Sequence, residues 1–246
     1  MAIEQIWIYL FFILYSLINI IIPFSGSSTI TPFLAILTDP HKAIALASFY
    51  FFLSAVVRLF IFRRDIKWKY VKKFLPLSFI GAIIGAFALI KINPLALLII
   101  IFIFVLYFFY KKIKTLRINK EKDYNKLAVH SVGFLSGFLQ GTGLAGSDLR
   151  NSYLYSEKLT LPQVHGTTAL IGAVNFFIAT VIRITTNQIT IPNLIPLLYI
   201  LPFIIVGSLV GKKLLYKINK KYADWMIIII MTLIIIFLAI KIVNSI

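Results

Sequence analysis

Eight long apolar runs constrain this chain more than any other feature. They lie at about 6–23, 43–62, 71–90, 94–110, 127–144, 164–184, 191–215 and 225–243. A helix of about 20 apolar residues spans the hydrocarbon core of a bilayer, so the runs predict an all-α polytopic membrane protein. Composition agrees, with 60% of the 246 residues hydrophobic and 13% charged, against roughly a quarter charged in soluble domains. Disorder is excluded, because a disordered chain has few apolar residues. The absence of cysteine excludes a disulfide scaffold and a thiolate metal site. The N-terminus does not read as a signal peptide: its first ten residues carry Glu4 and no Lys or Arg.

The net charge of +17 reads as topology rather than nucleic-acid binding, because it falls in three clusters between runs. One holds Arg63, Arg64, Lys67, Lys69, Lys72 and Lys73. The second runs from Lys111 to Lys126, and the third from Lys212 to Lys221. Cytoplasmic loops carry such an excess, and binding of anionic lipid heads is compatible with it.

The chain also repeats itself. Pro76, Gly81, Gly85, Leu89, Lys91, Ile92 and Asn93 match Pro202, Gly207, Gly211, Leu215, Lys217, Ile218 and Asn219 at a constant offset of 126. A weaker match at offset 120 aligns Ser16 with Ser136, Gly26 with Gly146, Ser27 with Ser147 and Leu34 with Leu154. These matches divide the chain into a first transmembrane repeat, 1–112, a basic cytoplasmic linker, 113–126, and a second repeat, 127–246. Two short apolar stretches, 29–37 and 149–155, follow the first and fifth runs. Two topologies are then open. If all eight runs cross, 14 basic residues lie inside and 8 outside. If each first run instead pairs with its short follower as a broken or re-entrant helix pair, three crossings complete each half. All three clusters are then inside, 19 basic residues against 3, and both termini are outside. The second arrangement fits the positive-inside rule better and makes the repeats inverted. Many secondary transporters share this plan, with substrate bound near the midplane at interrupted helices.

The interruptions are rich in Gly and Ser. One contains Pro23, Gly26, Ser27, Ser28 and Thr29. The other contains Gly141, Gly143, Gly146, Ser147 and Asp148. Such a break suits backbone that lines a polar cavity. Each short helix then presents free N–H groups and partial positive charge near the membrane centre, where two termini converging from the two halves would hold one anion. Three arginines, Arg58, Arg150 and Arg183, fall within apolar stretches, where an intramembrane charge costs several kcal/mol and marks function. Arg150 is placed deepest, as an anion ligand or as a partner of Asp148 or Glu157. Arg58 and Arg183 hold similar places in the two halves, for gating or anion attraction, or to snorkel to the interfaces. Asp148 is either a proton-coupling site or a fixed counter-ion. His165 is a second coupling candidate, against a plain interface role. Thr168 and Asn175, seven residues apart on nearly one helix face, are cavity candidates. Gly81, Gly85, Gly207 and Gly211 read as close helix packing, and Pro76 and Pro202 as bends. Three scattered histidines suggest no metal site, and no cofactor is expected.

The segment 133–150, GFLSGFLQGTGLAGSDLR, followed by Leu154, 166–169 (GTTA) and Arg183, resembles the second-repeat signature of the sulfite exporter (TauE/SafE) family of membrane transporters. Gly26, Pro32 and the small-residue run 43–48 resemble its first repeat. The resemblance covers nearly the whole chain. It implies a secondary transporter, not an enzyme, of the prokaryotic cell membrane. The cargo it implies is a small sulfur-containing anion such as sulfite or an organosulfonate, often exported. A cysteine-dependent thiosulfate mechanism does not fit a chain without cysteine. The expected mechanism is alternating access around a midplane site. An anion channel and a membrane enzyme acting on anionic lipid heads are the alternatives. Proton coupling and homo-oligomerisation are compatible with this reading, and nucleic acid is not an expected partner.

Overall fold

The structure, a computed structural model, describes residues 15–21, 27–117, 128–144, 146–215, 217 and 220–245. Every regular element among the described residues is helical. Helix α1 is seen over residues 15–21, followed by α2 (Ser27–Leu37), α3 (Pro40–Ile61), α4 (Trp68–Ala88) and α5 (Pro94–Arg117). Beyond residue 127 come α6 (Ala128–Gly141), α7 (Ser147–Ser156), α8 (Leu161–Thr185), α9 (Ile191–Leu198), α10 (Leu201–Leu214) and α11 (Lys220–Val243). The same succession thus occurs twice: a helix, a short helix, then three long members. The two short helices begin at the aligned serines Ser27 and Ser147. The order is compatible with inverted repeats.

Local sequence sets the boundaries. Asp39 accepts hydrogen bonds from the His41 and Lys42 backbone N–H groups ahead of Pro40, an N-cap followed by a proline whose missing donor costs nothing there. Thr160 and Gln163 form a capping box at the start of α8. Helix α5 outlasts its apolar run by about two turns, ending at Arg117 within the second basic cluster.

Helices α3, α4 and α8 and the stretch Trp225–Val243 of α11 are long and apolar enough to cross a bilayer singly. The run at 191–215, expected as one span, is long and apolar enough to cross only as the pair α9 and α10, which meet at 44° at a break. The break falls between Pro196 and Pro202, where two prolines remove neighbouring ladder donors. The bend expected at the aligned Pro76 does not break α4, which runs through it.

Polarity is reversed relative to a soluble protein. Large apolar side chains such as Phe79 and Phe87 on α4, Leu209 on α10, and Leu233 and Phe237 on α11 are exposed. Ser48, Gln140, Arg150, Asn175 and Arg183 are buried. This is the pattern for lipid outside and a polar centre within. The halves pack through one another. Helix α3 lies against α8 and α5 against α11, equivalent partners in the repeat. Helix α4 lies against α6, where a Cβ at Gly81, Gly85, Gly137 or Gly141 would overlap the backbone of the facing helix. Gly211 of α10 meets Leu17 and Ile20 of α1 in the same way. The aligned glycines Gly85 and Gly211 therefore each seat one half's helix on the other half's broken one. This is the close packing expected of small-xxx-small pairs.

Candidate functional site

The break between α6 and α7 is built by glycine. Gly143 and Gly146 take φ of +73° and +145°, conformations that a side chain disfavours. At Gly146 a Cβ would also overlap the Ser136 carbonyl. The Gly143 carbonyl accepts a hydrogen bond from the Thr31 hydroxyl of α2, so the first half's short helix touches the second half's break. Helix α7 starts at Ser147 beside a small cavity. Its lining includes Asn19 of α1, Phe51 and Arg58 of α3, Gln140 of α6, Ser147 and Arg150 of α7, and Thr168, Gly172 and Phe176 of α8. Both halves contribute. About 20 Å³ is open to the centre of a water-sized sphere, room for about one water.

Arg150 is fully buried. Its Nη1 donates to Gln140 Oε1 at 3.3 Å and its Nη2 to the Thr168 carbonyl at 3.4 Å. Its Nε has no acceptor among the described residues. Arg58, half-buried, holds its Nε 3.4 Å from the Ser54 carbonyl one turn back, so its charge is turned along α3 to the same cavity. No carboxylate stands among the described lining residues. Two guanidinium groups and the N-terminus of α7 therefore share a desolvated space without an acidic neighbour in its wall.

Of the residues singled out from sequence, the cavity gathers Arg58, Ser147, Arg150 and Thr168. Asn175 stands behind it, donating to Gln140 Oε1 at 2.7 Å and to Ser78 Oγ at 3.0 Å. Gly143 and Gly146 shape the break rather than line the space. Thr29 is buried and bonds Tyr15. Gly26 and the side chains of Ser27 and Ser28 lie outside the described residues. Arg183 is fixed elsewhere: its Nε donates to Ser48 Oγ at 3.2 Å, its Nη1 to Gln188 Oε1 at 2.9 Å and its Nη2 to the Gly141 carbonyl. It thereby ties α3, α8 and the C-terminal end of α6 together. His165 is buried, stacks on Phe62 and places Nε2 2.7 Å from the Ile20 carbonyl. Asp148 faces a second, lateral cavity with Ile103, Phe104 and Tyr107 of α5. Its place in the first turn of α7 suits the helix dipole.

Sequence reasoning missed Gln140 and Asn19. Gln140 is the last polar residue before the α6 break, and Asn19 the one amide in an otherwise apolar stretch. Both are polar side chains where a bilayer penalises them, and that is the signal that could have found them.

No curated protein and no solved structure matches the chain. The family model described as sulfite exporter TauE/SafE matches residues 8–238. That is nearly the whole length and takes in every described residue of the cavity wall, so this multi-pass membrane protein belongs to the sulfite exporter TauE/SafE family of transporters.

Proposed function

We propose that the protein is a secondary transporter of a small sulfur oxyanion, with sulfite the favoured cargo and a short organosulfonate next. The observation that carries this reading is one cavity, lined from both halves, into which Arg58 and Arg150 bring two positive charges unopposed by a carboxylate in the described wall. Charge-assisted hydrogen bonds from guanidinium to oxyanion are the strong ones, and an N-terminal helix turn adds donors of the right sign. Neither Asp148 nor His165, the two residues that offered a general base, is among the described lining residues, which weighs against lipid chemistry.

In this reading repeats 1–112 and 127–246 are inverted and rock against each other around the site. The 113–126 linker and the basic clusters face the cytoplasm, and both termini face outward. Asp148 acts as counter-ion at the start of α7. Export is the direction the family name supports. The testing experiment is equilibrium binding of sulfite to purified protein under anaerobic conditions. Saturable binding that weakens by about 30-fold or more in Arg150→Ala is expected. This corresponds to about 2–4 kcal/mol for a lost charge-assisted contact in a partly desolvated site. Equal binding by wild type and variant would remove Arg150 from the site.

A further inference from the structure

We infer that Gln140 donates its side-chain amide to the bound anion, and that Asn175 is the residue that fixes this orientation. The inference rests on the anion-site reading above and adds a ligand to it.

The argument begins with what Arg150 can offer. A guanidinium carries only donors. Its Nη1 lies 3.3 Å from one terminal atom of the Gln140 amide, so that atom is the oxygen. The opposite orientation would set an N–H₂ group against a cation. Amide orientations are assigned from such partners, and here the partner leaves one choice. The same oxygen lies 2.7 Å from a terminal atom of Asn175, which is therefore the Asn175 nitrogen. The second hydrogen of that nitrogen goes to Ser78 Oγ at 3.0 Å. Ser78 in turn returns its hydroxyl hydrogen towards Asn175 Oδ1 at 3.3 Å. Four helices, α4, α6, α7 and α8, thus hold one chain of buried amides in a single sense.

Its consequence lies at the free end. With Oε1 held by two donors, Gln140 Nε2 is turned away from both Arg150 and Asn175. No hydrogen bond of Nε2 is found among the described residues, and Gln140, 2% exposed, keeps its small accessible surface on the cavity wall. The space Gln140 borders is the one shared by Arg58 and Arg150, and an amide nitrogen at such a wall is a donor open to a ligand. An oxyanion seated there supplies the missing acceptor. Asn175 does not touch the anion. It is a positioning residue, acting through Gln140.

The test uses full-length protein in detergent with sulfite as ligand, side-chain amides labelled by ¹⁵N-glutamine, and the Gln140 resonance identified by its loss in Gln140→Glu. In wild type that resonance moves as sulfite saturates the site. Gln140→Met removes the donor without adding charge and should raise the sulfite Kd about tenfold or more, the usual effect of losing a hydrogen bond to a charged group. Gln140→Glu keeps an oxygen for both Arg150 and Asn175, so it should fold and yet bind sulfite still more weakly. If the methionine variant does not fold, the wild-type resonance decides. Sulfite binding with an unmoved Gln140 resonance overturns this inference alone. No sulfite binding by wild type overturns the anion site itself, and the inference with it.

Discussion

Replacing Arg183 by alanine should cost stability rather than affinity. Its guanidinium donates to Ser48 Oγ on α3, to Gln188 Oε1 beyond α8 and to the Gly141 carbonyl at the end of α6. All three contacts are cut in the variant. Hydrogen bonds from a charged group contribute about 1.5–3 kcal/mol each, but contacts sharing one side chain are not additive. Removing one member of a buried polar cluster typically costs about 3–5 kcal/mol, and that is the expected loss here. At about 2–4 °C per kcal/mol for a chain of this size class, the apparent Tm in detergent should fall by roughly 6–20 °C. The assay pairs that melting curve with sulfite binding measured below the new midpoint. The folded variant should bind within about threefold of wild type, because Arg183 is absent from the described lining of the cavity. Arg183→Lys should recover little, since an ammonium cannot reproduce the planar fork that meets three separate acceptors. A variant that melts like wild type but no longer binds sulfite would refute this reasoning. It would restore to Arg183 the anion-attracting role that its position in the sequence suggests.

Three further expectations follow from packing and topology. Gly137→Val should lower the melting midpoint, because a Cβ there overlaps the Ser78 carbonyl of α4 and overpacking costs about 1–3 kcal/mol. Gly133→Ala, whose Cβ would sit 3.4 Å from Phe74, should melt near wild type. Thr31→Val keeps the side-chain shape but leaves the Gly143 carbonyl without its hydroxyl donor. It should lose about 1–3 kcal/mol and slow sulfite exchange, read from melting and flux together. Because the chain lacks cysteine, single cysteines report topology cleanly. Ser245→Cys in whole cells should react with a membrane-impermeant maleimide, and Lys69→Cys only after lysis; the reverse pattern would invert the proposed orientation.

Much of the architecture was legible because a bilayer leaves few options. Apolar length located most of the described helices, and the short stretches expected at 29–37 and 149–155 are α2 and α7, which begin two residues earlier at the aligned Ser27 and Ser147. The aligned Gly85 and Gly211 were readable as packing residues, though not which helix each would meet. That information lives in the exchange of helices between halves, which no local pattern encodes. The fracture of the 191–215 run depends on Pro196 acting together with Pro202, whereas the lone Pro76 is absorbed within α4. The sequence set Arg150 apart as the deepest arginine but gave Arg58 and Arg183 one shared role. The separation of Arg58, at the cavity, from Arg183, in a three-way clamp, depends on helix rotation and on partners such as Ser48 and Gly141, which lie 135 and 42 residues from Arg183 in sequence. Gln140 escaped notice for the same reason: its importance comes from Arg150 and Asn175, which lie on two other helices.

The most direct test of the central claim is counterflow of labelled sulfite into sealed liposomes carrying the purified protein, under anaerobic conditions. Liposomes preloaded with unlabelled sulfite should take up label transiently above equilibrium, with saturable kinetics. Arg150→Ala should abolish the overshoot while remaining folded. Uptake that never exceeds equilibrium, or an overshoot unchanged by Arg150→Ala, would contradict a carrier that holds its anion between the two halves.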